Sequence, residues 1–370
     1  MSGREEMLRV MTGIVKTDVH DHTLFRIRMG ELESLLSALG YRVIERVVQV
    51  REKESVDFVF GKGKVSEIKE KVKKLNPDLF VIYNNITSKQ KWNLERALGI
   101  EVADRYDVTL MIFKEAASDM LSKLQIELAS LEKLFPYVKL SASIKYKRMR
   151  AGFRGGGEYA YHKQIRALQK RIRILRDKIE RLSRQRELEI LKRLESGANI
   201  MVLTGYYNAG KTSIFNALTG FEKPVSDKPF TTLSSKYAGV EGERVYLVDT
   251  IGFVMDLDPR LIASFKLNLL DIEYSSKQIL VIDIADRDDL LKIKLLEDLR
   301  ILKGLGKGES SFLIAANKAD LVRESDLKRK IELVRDLVGE DIPIIPVSAV
   351  TGRGLRELVE SALKDLEVVR

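Results

Sequence analysis

Residues 205–213 read Gly205-Tyr206-Tyr207-Asn208-Ala209-Gly210-Lys211-Thr212-Ser213, a Gly-x4-Gly-Lys-Thr spacing, and this stretch with its flanks decides the fold. Ahead of it, Ile200-Met201-Val202-Leu203-Thr204 is an apolar run of strand length; behind it, Ser213-Ile214-Phe215-Asn216-Ala217-Leu218 opens a helix. Strand, glycine loop and helix in that order build a phosphate cradle. Gly205 and Gly210 let the backbone curl until successive N–H groups converge. The helix N-terminus adds partial positive charge at the same point. Lys211 can reach β- and γ-phosphates, and the Thr212 hydroxyl can sit on Mg²⁺. Tyr206, Asn208, Ala209 and Ser213 complete the loop that surrounds them.

Downstream, the chain supplies the remaining parts of a guanine-nucleotide domain in order. Phe230-Thr231-Thr232-Leu233 lies in a polar stretch with Pro224 and Pro229. A threonine there, Thr232 by preference, can close over a γ-phosphate with its hydroxyl on Mg²⁺. The strand Arg244–Val248 delivers Asp249-Thr250-Ile251-Gly252. Asp249 would hold Mg²⁺ through water, and the Gly252 N–H would sense the γ-phosphate. A further strand, 312–316, leads to Asn317-Lys318-Ala319-Asp320. The Asp320 carboxylate can accept from both the ring N–H and the exocyclic amine of guanine. Adenine lacks that donor pair and would leave the carboxylate unpaired. The Lys318 stem can lie across the base. The run 342–347 ends in Ser348-Ala349-Val350, whose N–H groups can meet the guanine carbonyl. GTP and GDP are therefore the expected ligands. Phe253 stands where Ras-like GTPases carry a water-orienting Gln. An apolar side chain cannot polarise water, so slow intrinsic hydrolysis is expected, with Lys211, Thr232 and Gly252 doing the catalytic work.

Upstream of the loop, Ala117, Leu121, Leu124, Leu128, Leu131 and Phe135 follow 4-3 spacing, as do Ile165, Leu168, Ile172, Leu175, Ile179 and Leu182. Both are coiled-coil seams, and an antiparallel hairpin is the simplest arrangement. Pro136 is expected to close the first helix; the second should run from about Ala160 to Leu194. Past Leu182 the repeat lapses at Arg186 and Glu189, so the helix must find another partner there. Between the helices lie Lys145, Lys147, Arg148 and Arg150, then Gly152-Phe153-Arg154-Gly155-Gly156-Gly157. Residues 141–196 hold 17 Lys/Arg and 6 Asp/Glu, which accounts for the whole net charge of +10. A basic, glycine-rich tip with Tyr146, Phe153, Tyr159 and Tyr161 suits a phosphate backbone and exposed bases. A solvated, charged coil is the plain alternative.

The first 115 residues alternate strand-like and helix-like runs: Tyr41–Val50, Asp57–Phe60, Val65–Leu75, Leu79–Tyr83 and Ser88–Leu98. That pattern argues for a parallel sheet flanked by helices. Gly61-Lys62-Gly63-Lys64 could hold an anion, although a turn with solvated lysines explains it as well. His20-Asp21-His22 reads as a surface loop rather than a metal site, and Trp92 as a packing residue. The expected domains are 1–115 (α/β), 116–196 (helical hairpin) and 197–370 (P-loop GTPase).

Composition bounds the setting. There is no Cys, which removes disulfide and thiolate chemistry. No apolar run approaches the roughly 18 residues a membrane helix requires, and the N-terminus lacks a signal-peptide core. A cytoplasmic monomer is expected. Charged residues reach 32% while Asn and Gln number 9 and 7, a balance that leans towards a thermophilic source.

The wider pattern resembles the HflX-type GTPases, a ribosome-associated, translation-factor-related class. The carriers are Gly61-Lys62-Gly63-Lys64-Val65, Val102-Ala103-Asp104-Arg105, Ile112-Phe113, Gln125-Ile126-Glu127-Leu128, Gly205-Tyr206 with Asn208, and Asp249-Thr250-Ile251-Gly252-Phe253. The resemblance implies a family-specific α/β domain, a helical hairpin and a GTPase domain that together bind the large ribosomal subunit and its rRNA. Some relatives split ribosomes. Arg154-Gly155-Gly156-Gly157-Glu158 departs from the family's Arg-Gly-Pro-Gly-Glu, and the chain ends one helix after Ser348, where many bacterial relatives continue. The resemblance therefore carries ribosome binding further than splitting. Two other classes stay open: a non-ribosomal regulatory GTPase with a coiled-coil protein adaptor, and an RNA-remodelling NTPase driven from the N-terminal domain.

Overall fold

The computed structural model describes residues 7–18, 22–149, 156–221, 236–240, 245–258, 260–261, 270–304 and 312–367, with backbone alone at 145–149, 156–161, 236 and 365–367. Two compact units result: Met1–Glu115 with Leu124–Ile179, and Ala116–Lys123 with Glu180–Arg370.

The first unit contains β1 (Arg9–Lys16), α1 (His22–Ala38), β2 (Arg42–Val50), α2 (Lys62–Leu75), β3 (Leu79–Ile82), α3 (Ser88–Leu98), β4 (Glu101–Asp104) and α4 (Arg105–Ala116). The strands form the expected parallel sheet, in the order β2-β1-β3-β4. Central β1 is buried from Val10 to Lys16. Met11, Val15, Phe80 and Ile82 pack against Val65, Ile68 and Val72 of α2 and Leu94 of α3. The expected strand at Asp57–Phe60 is instead a turn. Ser55 and Val59 exchange backbone hydrogen bonds of 2.7 and 2.9 Å, and Val59 takes φ 65°. Neighbouring strand residues point to opposite faces. The turn sends both Val59 and Phe60, fully buried, into one core.

Helices α5 (Met120–Met149) and α6 (Gly156–Glu195) follow. Pro136 does not end α5 as expected; the helix runs through it to Met149. Packing offsets the backbone hydrogen bond that proline removes. The Tyr137 hydroxyl bonds to Glu95, and its ring lies 6.0 Å from Trp92 and 5.8 Å from Lys91 Nζ. Within the first unit, Arg171 and Arg176 of α6 pair with Glu127 and Glu132 of α5 at 2.6 and 2.5 Å. Gly156 and Gly157 belong to the start of α6 rather than to the connecting loop, so the helix reaches 40 residues, about 60 Å.

The second unit is built on β5 (Asn199–Thr204), α7 (Lys211–Thr219), β6 (Lys236–Gly239), β7 (Val245–Asp249), α8 (Leu270–Glu273), β8 (Lys277–Asp283), α9 (Asp288–Gly304), β9 (Phe312–Asn317), α10 (Glu324–Val338), β10 (Ile344–Pro346) and α11 (Leu355–Glu367). The sheet runs β10-β9-β8-β5-β7-β6, parallel except for β6. Met201, Leu203, Leu247, Val281 and Leu313 form a core with Ile214 and Phe215 of α7 and Leu358 and Ala362 of α11. Because β5 lies inside the sheet, the loop after it opens at the carboxyl edge, where α/β folds hold ligands.

The C-terminal turns of α6 belong to this second unit. Where the heptad repeat lapses, Arg186 donates to Asp271 of α8 at 2.7 Å and Glu187 accepts the Tyr274 hydroxyl. The Arg193 guanidinium lies 4.3 Å from the Tyr237 ring centre, and Ile190 is fully buried. The change of partner expected from the broken repeat is present.

Candidate nucleotide site

The loop 205–210 carries the chain from β5 into α7. Gly205 adopts φ +127°, and a β-carbon there would fall 2.3 Å from the Val281 carbonyl oxygen. Gly210 adopts φ +93°, with its β-carbon position 2.1 Å from Asn317 Nδ2. Neither position admits a side chain. Asn208 between them is left-handed as well, at φ 61°, a conformation Asn tolerates better than most residues. Lys211 is buried as the first residue of α7, and its Nζ donates to the carbonyls of Gly205 (2.9 Å) and Tyr206 (2.7 Å).

At the other end of the cradle, the Thr212 hydroxyl donates to Asp249 Oδ2 at 2.9 Å. The start of α7 and the end of β7 thus bring a hydroxyl and a carboxylate to one point. These are the hard oxygen donors that Mg²⁺ prefers, so the residues present fit the ion. The turn after Asp249 lies against the loop: a β-carbon at Gly252 would stand 2.9 Å from Tyr207 Cα and 3.2 Å from Lys211 Nζ. Tyr207 N–H donates to the Phe253 carbonyl at 2.9 Å, and Phe253 N–H to the Gly205 carbonyl at 3.1 Å. The Phe253 side chain is buried. Tyr206 is buried too, and its hydroxyl accepts Met255 N–H at 2.7 Å. This tyrosine gives the loop its backbone and packs its ring into the protein.

The segments expected to read the base are tied to the phosphate loop by Asn317 at the end of β9. Its Nδ2 donates to the Ala209 carbonyl at 2.9 Å, and its Oδ1 accepts Ala349 N–H at 3.2 Å. Lys318 takes φ 64° and pairs at 2.5 Å with Asp283, the last residue of β8. Asp320 is exposed in the turn Ala319–Leu321. Ser348 is fully buried, its Oγ accepting Thr351 N–H at 3.1 Å, while Val350 is exposed. The N–H groups expected to meet a guanine carbonyl are partly committed elsewhere: Ser348 donates to the Arg353 carbonyl at 3.0 Å and Ala349 to Asn317. Ser213 lies half-buried in α7.

Thr232, Arg150 and Arg154 lie outside the described residues, as do the side chains of Lys145, Lys147 and Arg148. His20 and Asp21 are likewise outside, and His22 opens α1. Lys62 and Lys64 fall in the first turn of α2, with Lys64 paired to Glu67 at 2.7 Å. Sequence reading passed over Asp283 and Asp298 entirely, because neither belongs to a spaced motif.

Three family models match successive parts of the chain: GTP-binding GTPase N-terminal over residues 26–114, GTP-binding GTPase Middle Region over 116–193, and 50S ribosome-binding GTPase over 200–318. The GTPase HflX of Thermococcus kodakarensis is 35% identical over 344 residues, 91% of this chain and 77% of that protein. The Thermofilum pendens GTPase HflX is 33% identical, covering 91% and 80%; that of Escherichia coli is 30% identical, covering 91% and 79%. Among solved structures, the crystal structure of an SsGBP–GDP complex aligns over 97% of this chain and 98% of its own, at 26% identity and a TM-score of 0.54. The phosphate loop, the Thr212–Asp249 pair and the Asn317 tie therefore belong to a GTP-hydrolysing enzyme, and the chain is a member of the HflX family of GTPases.

Proposed function

We propose that this chain is a GTP-driven switch that associates with the large ribosomal subunit through the basic, glycine-rich connection between α5 and α6. The observation that carries this reading is the charge distribution. Residues 141–196 hold 17 basic and 6 acidic residues, and the rest of the chain is close to neutral. A solubilising charge would be spread over the surface; a concentrated one is the footprint of a polyanion. Lys145, Lys147, Arg148, Arg150 and Arg154 are the proposed rRNA contacts. Similarity to a family described as a 50S ribosome-binding GTPase supports the same partner. The proposed division of labour assigns 1–115 to an α/β module, 116–196 to a coiled-coil arm and 197–370 to the GTPase, working in the cytoplasm.

At the nucleotide, Lys211 would extend its ammonium to the β- and γ-phosphates, and the loop N–H groups would take the remaining oxygens. Thr212 and Asp249, with Thr232, would hold Mg²⁺, which neutralises charge on the phosphates when bound. Gly252, close to Lys211, would offer its N–H to the γ-phosphate. Asp320 would read guanine. With Phe253 buried where a glutamine would orient water, the attacking water has only backbone to position it. Intrinsic hydrolysis is slow in this reading, and the ribosome supplies the activation.

Switching needs a path from the phosphate to the arm. Asp271 accepts both Arg186 of α6 and the hydroxyl of Tyr237 on β6. Burial works most strongly against the Arg186 charge, yet Asp271, by charge and hydrogen bond, together with Tyr237 and Asp119 holds the guanidinium above its ordinary pKa. The end of α6 is thereby fixed to the elements that follow Thr232 and Gly252 in the chain.

The test is co-sedimentation with separated ribosomal subunits, in GDP and in a non-hydrolysable GTP analogue, across a salt series. Neutralising five phosphates predicts a log–log salt slope of about −3.5 to −4.5. Binding to the large subunit with that slope, differing between nucleotides, is the expected result. Equal and negligible binding in both states would sink the ribosomal reading and favour a protein-adaptor GTPase.

A further inference from the structure

The buried carboxyl of Asp298 has no part in the nucleotide chemistry described above. It sits on α9, 1% exposed, and its Oδ2 accepts the N–H of Tyr206 at 3.2 Å. Its Oδ1 is buried and makes no hydrogen bond among the described residues. The carbonyl of the same Tyr206 accepts Lys211 Nζ at 2.7 Å. One residue at the entry of the phosphate loop is therefore gripped on both sides, by a carboxylate at its N–H and by the loop lysine at its C=O. Around it, Lys294 Nζ lies 5.2 Å from the Tyr206 ring centre and pairs with Asp286 at 2.6 Å. A small cavity beside the loop is lined by Tyr206, Tyr207, Asp283, Asp286, Lys294 and Asp298.

The two grips differ once nucleotide arrives. The Lys211 ammonium carries three N–H donors, so nucleotide draws it towards the β- and γ-phosphates. Asp298 carries no such duty: it is carried on α9, a helix rather than a loop. A buried carboxyl with one oxygen unpaired is expensive to keep, and here the return is a fixed acceptor for a loop N–H. We propose that Asp298 is a positioning residue of the GTPase, holding the entry turn of the phosphate loop in its binding shape while Lys211 engages the nucleotide.

Because the entry turn serves GDP and GTP alike, the effect falls on binding and leaves the chemical step alone. The test uses the full chain, with fluorescent mant-GDP titration for Kd and steady-state GTP hydrolysis for kcat and KM. Asp298→Leu removes the acceptor at similar volume; mant-GDP Kd and GTP KM should each rise at least tenfold, with kcat within threefold of wild type. Asp298→Asn keeps an amide oxygen for the Tyr206 N–H and should stay within threefold on all three measures. A residue that merely props the fold would lower the melting temperature without that split and without rescue by Asn. Wild-type affinity in D298L, a D298N as damaged as D298L, or a fall in kcat at unchanged KM would each overturn the proposal. Should D298L not fold, the wild-type protein bound to GDP decides. Slow hydrogen exchange of the Tyr206 amide by NMR supports the proposal, and exchange at the rate of an exposed loop amide refutes it.

Discussion

The chain contains two glycine–lysine stretches in front of helices, and only one of them builds a cradle. Gly205–Thr212 follows β5, inside its sheet, and Lys211 opens α7. Its glycines are forced by close contacts at Val281 and Asn317, and its backbone is held by Asn317 and Asp298. Gly61–Lys64 forms the start of α2 but comes after a turn rather than a strand end, on the side of the edge strand β2. Gly61 has extended φ of −68° and gives its N–H to Gln49 Oε1 at 2.9 Å; a β-carbon there would meet, at 2.1 Å, only the far end of the Arg51 side chain, which can swing aside, and nothing lies within 4 Å of one at Gly63. A phosphate site therefore needs more than the right residues near a helix start. It needs glycines that sterics make obligatory, in a loop other elements hold still.

The sharpest way to break this comparison is to remove the lysines. Lys211→Ala should abolish measurable GTP hydrolysis and weaken mant-GDP binding by about a hundredfold or more, since each hydrogen bond to a charged group is worth about 1.5–3 kcal/mol. Replacing both Lys62 and Lys64 by Ala should leave hydrolysis within about twofold, in line with loss of only a surface pair. The reverse outcome, nucleotide hydrolysis surviving K211A and lost in the double variant, would move the activity to the first unit and favour an RNA-remodelling NTPase. A smaller effect is expected from the glycines. Gly210→Ala places a methyl 2.1 Å from Asn317 Nδ2 at a left-handed φ, and should cost at least about tenfold in nucleotide affinity, equivalent to 1.4 kcal/mol. Gly63→Ala meets open space inside a helix and should stabilise the protein by about 0.5–1 kcal/mol in urea unfolding. If G63A weakened GTP binding instead, the first stretch would be a nucleotide site after all.

How much of this was legible depended on whether a feature is local in sequence. The cradle, Asp249, Asn317 and the parallel sheets announce themselves through spacing and apolar runs, because each is one strand with the loop it delivers. The break in the α6 repeat at Arg186 is legible for the same reason, as a local lapse that demands a new partner. What stayed hidden was set by contacts across the chain. Lys277–Asp283 is a buried strand whose last residue pairs with Lys318, yet the strand carries no motif. Asp271 and Asp298 look like ordinary acidic residues on helices; only the fold brings Arg186 to one and Tyr206 to the other. Pro136 and the Asp57–Phe60 turn misled for a related reason. Local rules favoured a helix end and a strand, and tertiary packing by Tyr137 and Phe60 prevailed.

A further effect concerns pH and bears on the held loop alone. Burial pushes the Asp298 carboxyl well above the usual carboxylate range, against the pull of Lys211, the Tyr206 N–H and Lys294 and with a further push from Glu297. A group whose pKa is raised by folding binds its proton more tightly in the folded state. Its contribution is fully present below the unfolded pKa, about 3.9 for Asp, and is lost as pH rises through the folded value. Wild-type stability should therefore fall with rising pH relative to D298N, which has no proton to lose. The gap between the two urea-unfolding curves should widen in favour of D298N by at most about 1.4 kcal/mol per pH unit inside that window. Bound GDP adds negative charge at the loop and draws on the Lys211 charge, so it should extend the window upward. Parallel wild-type and D298N curves across the series would mean that Asp298 titrates as an ordinary carboxylate. Asp298 would then be ionised at neutral pH, and the Tyr206 N–H would be held by a charged acceptor.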